Sequence, residues 1–390
     1  MTETGRMGSP SGGFAHLLML HIVLLTASAW PIELGWRTCF SRTVPIGQDW
    51  RDGAGALQLL LGGVIGLASV TLALLAARHG VPLLGGHDRF TYLGRLDGTP
   101  YRSIIMNRPV IAPLVGILLA VRDTRRVGAL LVGWLLLVSI LFGEKFTSLL
   151  LILAGAGIAP LLATLARRGS LPLRPLLAGA LLLGGISLPV VMLTYGALAD
   201  SDRAWVRLGD RAAVQGELWY LADRAGPPPG IDFPALRADV LSWTNPAAQH
   251  AERAGPRFGL YYVMARFTPS HRLKQAERSG TGFVFALHPY LLLAGGVPLL
   301  LVGGLAVALF HGGVLALLLQ SLAERRWLAA LAFARIINAT YAGLFTGYLW
   351  DPFGIKSAAT LALGLVFLRR VPLRIITVDP KSINNSPIRV

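Results

Sequence analysis

The sequence predicts an all-α polytopic membrane protein, and its composition and apolar runs carry that prediction. Of the 390 residues, 54% are hydrophobic and only 14% are charged, and the mean hydropathy is +0.58. Soluble domains usually contain about a quarter charged residues. Apolar runs close to 20 residues long recur along the chain, and this is the length that a helix needs to cross a bilayer.

The distribution of positive charge along the chain is typical of a membrane protein's topology and not of a nucleic-acid-binding surface. The formal net charge is +16, yet residues 198–283 hold eleven Lys or Arg and nine Asp or Glu and are nearly neutral. Much of the remaining positive charge forms short clusters at the ends of apolar runs, as the positive-inside rule predicts for cytoplasmic turns. We therefore expect membrane lipid, and no nucleic acid, among the partners.

The runs predict eight or nine membrane helices and one large periplasmic loop that carries short helices. They lie at 14–30, 56–77, 103–121, 127–142, 147–166, 175–195, 287–322, 327–350 and 354–368. The third run contains Arg108-Pro109 and Pro113, so it either crosses as a kinked helix or dips in and returns. Nine spans place the N-terminus outside, and eight place both termini inside.

Three regions follow from this layout: N-terminal membrane helices (1–197), the periplasmic loop (198–286), and C-terminal membrane helices with a cytoplasmic tail (287–390). We expect the first run to be an uncleaved helix, although Ala27-Ser28-Ala29 resembles a signal-peptidase site. Within the loop, 202–224 has the spacing of an amphipathic helix, which the glycines and prolines of 226–230 end. The run at 287–322 is expected to be one long helix, kinked at 311–313.

Metal and cofactor chemistry finds no support in the sequence. Cys39 is the only cysteine, and no CxxC, HExxH or phosphate-binding loop pattern occurs. We expect no metal and no cofactor.

Cations near the loop are the candidates for binding an anion. Lys145, preceded by Glu144, opens a membrane helix, where its charge either lies in a solvated turn or binds a phosphate. Arg203, Arg207 and Arg211 are spaced by four and share one helix face, so they either pair with acidic neighbours or form an anion site.

Three further residues are candidates by their position. His288 stands at the junction of the loop and a membrane run, and its side chain is suited to proton transfer near neutral pH, although a lone His is more often an interface residue. Arg266 lies in the aromatic stretch 258–267. Arg335 lies inside an apolar run, where an Arg requires a partner or a cavity.

This arrangement resembles the O-antigen polymerases of the Wzy type and the related O-antigen ligases. The likeness rests on three stretches, which are Phe142-Gly143-Glu144-Lys145-Phe146-Thr147 before the loop, Arg211 followed by Leu218-Trp219 within it, and His288-Pro289-Tyr290-Leu291 through Gly295-Gly296 after it. Lys145 stands where the family has an Arg, and Pro289 where the ligases have an Asn. The spacing from Arg211 to Trp219 is also longer than usual.

The resemblance implies a metal-independent glycosyltransferase of the bacterial inner membrane that polymerises undecaprenyl-diphosphate-linked repeat units for O-antigen or exopolysaccharide. It also implies a chain-length regulator as a partner. Arg211 and His288 would be catalytic, the first stabilising the departing diphosphate and the second accepting the acceptor proton. Lys145, Glu144 and the other cations would bind substrate. A glycan ligase and a non-enzymatic transporter of lipid-linked sugars are the alternatives.

Overall fold

The computed structural model describes residues 22–23, 26–34, 46–83, 92, 96, 99–143, 147–168, 185, 218–245, 255–279 and 285–369. Its labelled α-helices are α1 (Ile46–His79), α2 (Pro100–Met106), α3 (Arg108–Ala120), α4 (Arg125–Leu141), α5 (Thr147–Arg168), α6 (Phe233–Thr244), α7 (Gly259–Phe267), α8 (Ser270–Ser279), α9 (Leu287–Ala323), α10 (Trp327–Thr346), α11 (Trp350–Phe353) and α12 (Ile355–Arg369). Residues 26–34 and 218–225 are helical as well. The described part of the chain is thus almost entirely helical, as an all-α membrane protein requires.

The helices form a bundle with two distinct ends. The indole of Trp50, near the start of α1, donates to the Leu322 carbonyl at 3.0 Å, so α1 begins beside the end of α9. We call this end, with Arg325 and Arg326, the arginine side. At the opposite end the Ala286 amide donates to the Phe345 carbonyl, which joins the start of α9 to the end of α10. We call that end the loop side.

Small residues let helices in the bundle approach closely. A side chain at Gly116 in α3 would collide with the backbone of Ala156 in α5, and one at Gly128 in α4 would collide with the backbone of Leu118. Close backbone approach of this kind favours packing between membrane helices, where burial from water contributes little.

The predicted number of spans is not reproduced among the described residues. Four helices there are long and apolar enough to cross a membrane, at Gly53–His79, Ser148–Leu165, Leu287–Ala323 and Trp327–Thr346. The runs at 14–30 and 175–195 lie largely or wholly outside the described residues. Three others form helices shorter than 18 residues, namely α3, α4 and α12, because breaks or turns end them early.

The ambiguous run at 103–121 forms two helices that meet at Asn107. Ile105, at the end of α2, packs with Leu72 and Leu75 of α1 and with Val138 and Phe142 around the end of α4. Those residues lie toward the loop side, whereas α3 ends at the turn into α4 on the arginine side. The run is therefore a helix broken at Asn107, with α2 toward the loop side and α3 toward the arginine side.

The long helix α9 is broken at Gly295 and Gly296, so the kink predicted at 311–313 is wrong. Gly296 has φ 68° and ψ −166°, a conformation open to glycine, and Pro298 has no N–H to bond the carbonyl four residues earlier. The break is sharp, since the Leu291 side chain lies 3.1 Å from a Cβ placed on Gly303. Residues 311–313 stay helical and instead let the Ser28 backbone pack against Gly312.

A layer of short helices covers the loop side. It contains α6, α7, α8 and α11, and it shares a hydrophobic cluster with the first part of α9. The prediction that a helix ends at 226–230 is confirmed, because residues 218–225 are helical and Gly226 follows with φ 72°. The helix α6 was not foreseen. The sequence does contain a start signal for this helix, because Asp232 is an N-cap residue and Pro234 follows it in the first turn.

Candidate functional site

The break in α9 leaves backbone carbonyls that residues of the loop satisfy. Pro298 cannot donate to the Ala294 carbonyl, and the Asp232 amide donates to it instead at 2.7 Å. The Tyr262 hydroxyl lies 3.2 Å from the Leu293 carbonyl. Asp232 also caps α6, where its Oδ1 accepts from the Ala235 amide at 3.0 Å. The break therefore fixes α6 and α7 against α9.

Tyr262 connects this break to Arg266. The Tyr262 hydroxyl donates to Asp232 Oδ2 at 2.8 Å and accepts from Arg266 Nη2 at 2.8 Å. Burial and the bond to Asp232 raise the pKa of the Tyr262 hydroxyl, so it keeps its proton. The guanidinium of Arg266 lies 5.1 Å from the centre of the Tyr262 ring, and Arg266 is exposed. A positioned, accessible guanidinium is suited to an anion such as phosphate.

A buried carboxyl lies on the inner face of α6. Asp239 is 1% exposed, and its Oδ1 accepts from the Trp243 indole at 3.2 Å. Among the described residues, neither its Oδ2 nor the Tyr290 hydroxyl has a partner in ordinary hydrogen-bond geometry. Burial raises the pKa of Asp239 to about 7, which Trp243 and the nearby Tyr290 hydroxyl offset only in part. Such a carboxyl can accept or donate a proton at neutral pH.

The group around Tyr262 and Arg266 lies next to the group around Asp239 and Tyr290, because the Tyr262 and Tyr290 rings meet edge to face at 5.7 Å. Another buried hydroxyl, that of Tyr348, has no partner among the described residues, and burial raises its pKa. Its ring stacks on Trp350 at 4.1 Å. Burial also raises the pKa of half-buried Asp351 to about 7. The loop side therefore concentrates groups that titrate near neutrality or retain a proton.

Trp219 and His288, which belong to two separate stretches of the sequence, are in contact in the structure. The Trp219 and His288 rings meet edge to face at 5.6 Å, and the Trp219 indole donates to the Phe285 carbonyl at 2.6 Å. His288 is 6% exposed. The two sequence stretches around these residues therefore lie together, with the imidazole covered by the indole.

Arg335 lies apart from the loop side. Its Nη1 donates to the Asn107 side-chain oxygen at 2.9 Å, at the break between α2 and α3. It stands eight residues from the start of α10 at Trp327, or about 12 Å along the axis. The prediction that this Arg requires a polar partner agrees with the structure, but Arg335 is not joined to His288 or Arg266.

The remaining predicted site residues lie outside the described residues. They are Glu144, Lys145, Arg203, Arg207 and Arg211. The structure thus brings His288 and Arg266 to one side of the bundle. Among described residues, no group of three or more His, Cys, Asp or Glu side chains is placed to hold a metal ion.

Sequence reasoning missed Asp232, Tyr262, Asp239 and Tyr290. A signal existed for two of them, since Asp232 precedes a proline at capping distance and Asp239 interrupts an apolar helix. Tyr262 and Tyr290 stand in aromatic or apolar stretches that look like ordinary core. The hydrogen bonds of Tyr262 depend on the break in α9, which the glycine and proline pattern at 295–298 indicates only in hindsight.

These features define the class: an all-α membrane protein with a polar, helix-built layer at one end of its bundle. A family model described as a family of unknown function (DUF6418) matches residues 253–361. That range includes Tyr262, Arg266, His288 and Arg335 but neither Asp232 nor Asp239. No curated protein and no solved structure matches the chain.

Proposed function

We propose that this protein is a membrane glycosyltransferase that takes sugars from a polyprenyl-diphosphate carrier, and specifically a repeat-unit polymerase of the bacterial inner membrane. The observation that carries the proposal is the exposed Arg266, held by Tyr262 at the break in α9. This cation lies on the same side of the bundle as two groups suited to proton transfer, His288 and Asp239. Lys145 and Arg211 are the further cations that the sequence offers.

In the proposed reaction, an acceptor hydroxyl attacks the anomeric carbon of the lipid-linked sugar. The bond from that carbon to the diphosphate oxygen breaks, and the lipid diphosphate leaves with its electrons. Arg266 stabilises the charge that develops on the diphosphate. His288 accepts the hydroxyl proton. Because Trp219 covers the imidazole, substrate binding must move Trp219 away from His288.

The proposal includes eight or nine crossings, with the loop side facing the periplasm. Helices α3, α4 and α12 are shorter than 18 residues, and they cross if the bilayer thins locally or flanking charges extend to the headgroups. The apolar faces that α4 and α12 expose, including Leu130, Leu137 and Leu363, support contact with lipid.

The test is chain lengthening by the purified protein in nanodiscs with undecaprenyl-diphosphate oligosaccharide and no energy source. We expect longer glycans on the carrier, and a loss of at least tenfold in Arg266→Ala. The control Arg272→Ala, an exposed Arg on the neighbouring helix α8, should retain activity. Equal rates in both variants would remove Arg266 from the site. Transfer to a final acceptor without lengthening would indicate the ligase.

A transporter of lipid-linked sugars is the second candidate, and the contact of Arg335 with Asn107 favours it. Arg335 is exposed on α10, and an Arg in an apolar helix beside a broken helix is typical of a substrate or ion pathway. The test is movement of a fluorescent lipid-linked oligosaccharide across vesicle membranes. Movement without lengthening, slowed by Arg335→Ala and not by Lys356→Ala on the surface of α12, would favour transport over transfer.

A further inference from the structure

The helix α6 has its polar and apolar faces reversed relative to a helix in water. Its buried positions are Ala235, Asp239 and Ser242, which follow one another by four and three residues. Its exposed face carries Phe233 (69% exposed), Val240 (52%) and Leu241 (57%). A surface helix of a soluble protein buries its apolar stripe and exposes its carboxylates. The reversal indicates that the exposed face of α6 does not meet water.

We propose that this face of α6 is inserted among the acyl chains of the loop-side leaflet, so that α6 is a lipid-embedded helix that does not cross the membrane. The first argument is continuity. The bond from the Asp232 amide to the Ala294 carbonyl places the start of α6 at the top of the second part of α9. That part exposes Val297 and Val302 on its own lipid-facing side. The apolar surface of α6 therefore continues the surface of a spanning helix.

The second argument is depth. The Trp243 ring, at the end of α6, packs on Phe353 at 5.5 Å, and Phe353 packs on Phe310 at 4.9 Å. Phe310 is 13 residues from the end of α9, or about 20 Å along the axis from the arginine side. The hydrocarbon core is about 30 Å thick. The end of α6 thus lies at hydrocarbon depth.

The start of α6 lies farther from the arginine side than its end. It meets α9 at the break, 27 residues before Ala323, which is about 40 Å along the second part of the helix. That distance reaches the headgroup region. Helix α6 therefore descends from the headgroups into the chains, with Leu241 deeper than Phe233. Arg237 shares the exposed face, and its long side chain can extend to the headgroups.

Spin-label accessibility tests this placement. Cys39 is replaced by Ser, and single cysteines are introduced as Phe233→Cys and Leu241→Cys, both at exposed positions where packing is little disturbed. Leu67→Cys, 72% exposed in the middle of Gly53–His79, is the lipid standard. Lys274→Cys, exposed on α8, is the water standard. The labelled protein is placed in vesicles of phosphatidylethanolamine and phosphatidylglycerol.

We expect the ratio of oxygen to nickel-chelate accessibility at position 241 to be several-fold above that at 274 and close to that at 67. Position 233 should give an intermediate ratio. A ratio at 241 equal to that at 274 would mean that the face is in water. Low accessibility to both reagents would mean that protein covers it, whether a second copy or another partner. Either result overturns the proposal, and neither depends on the reaction that the protein catalyses.

Discussion

The two main hydrophobic clusters of this protein are built from different residues. The cluster between the membrane helices is aliphatic, with Trp50 and Phe333 as its fully buried aromatic rings. The loop-side cluster is smaller, yet it buries six aromatic rings, four of which carry hydroxyls: Phe258, Tyr261, Tyr262, Tyr290, Tyr348 and Trp350. The aromatic residues therefore concentrate where the helices break and turn.

The backbone explains this difference. An unbroken helix bonds its own amides and carbonyls, so apolar and small residues suffice to pack it against its neighbours. The loop side contains a broken helix and several helix ends, and each leaves backbone groups that need partners. Side chains with an apolar body and a polar tip, such as Tyr262, fill the core and also hold Asp232, whose amide satisfies one of these groups.

The largest effect should come from filling the close contact in the membrane cluster. Gly116→Val places a side chain against the Ala156 backbone, which cannot yield as a flexible side chain does. We expect the free energy of unfolding to fall by about 3 kcal/mol or more. The measurement is the thermal midpoint in detergent. The control is Gly133→Val on α4, where nothing lies within 4 Å, and it should change the thermal midpoint little. Equal falls of the midpoint in the two variants would show that β-branching, and not the contact with Ala156, is responsible.

The next effect concerns pH and the loop-side cluster. Below about pH 4, Asp239 is protonated in both the folded and unfolded states. As the pH rises to about 7, the unfolded carboxyl ionises while the folded one keeps its proton, so stability falls. The wild-type protein should therefore lose stability on the order of 3 kcal/mol over this pH range, and Asp239→Asn should remove that loss. The thermal midpoint of the variant should then fall less between pH 5 and pH 8 than that of the wild-type protein.

The matched control is Asp123→Asn, since Asp123 is exposed on the arginine side. It should leave the pH profile of the wild-type protein unchanged. Asp351 has a raised pKa from the same cause, so Asp239→Asn should flatten the profile only in part. A profile as steep as that of the wild-type protein would show that Asp239 is solvated.

The smallest effect tests the partners of the broken helix. Asp232→Ala removes the cap of α6 and the acceptor of the Tyr262 hydroxyl, and we expect a loss of about 2 kcal/mol from the two contributions. Asp232→Asn keeps a side-chain oxygen for the cap and should recover part of it. Hydrogen exchange of α6 and α7 measures both, and protection unchanged in Asp232→Ala would show that these bonds do not hold the layer.

Fold prediction succeeded where periodicity and composition are sufficient. The spans at 56–77, 147–166 and 327–350 correspond to helices, and the glycines and prolines at 226–230 do end a helix. Prediction failed at the kink of α9, because the glycines at 312–313 and those at 295–296 look alike in sequence. Only the pair Gly295-Gly296 is followed closely by a proline, which is Pro298. Beside that pair, the amide of Asp232 donates to the carbonyl of Ala294.

The candidate site was also predicted only in part, because contacts between distant segments define it. His288 and Arg266 could be singled out because a lone histidine or an arginine in an apolar stretch is conspicuous. Asp239 was passed over, since its role depends on burial by Tyr290 and Trp243, which come from a separate helix and from the next turn.

Hydropathy and charge by themselves determined that this chain is a helical membrane protein with a polar region near residues 198–286. They suffice because the bilayer acts on each segment separately, through its length and its apolar content. The tertiary structure alone decided which polar groups meet. The break in α9 exposes the Ala294 carbonyl, which the Asp232 amide then satisfies, and Tyr262 connects Asp232 to Arg266. Contacts between segments distant in sequence set that geometry, and no local pattern encodes them.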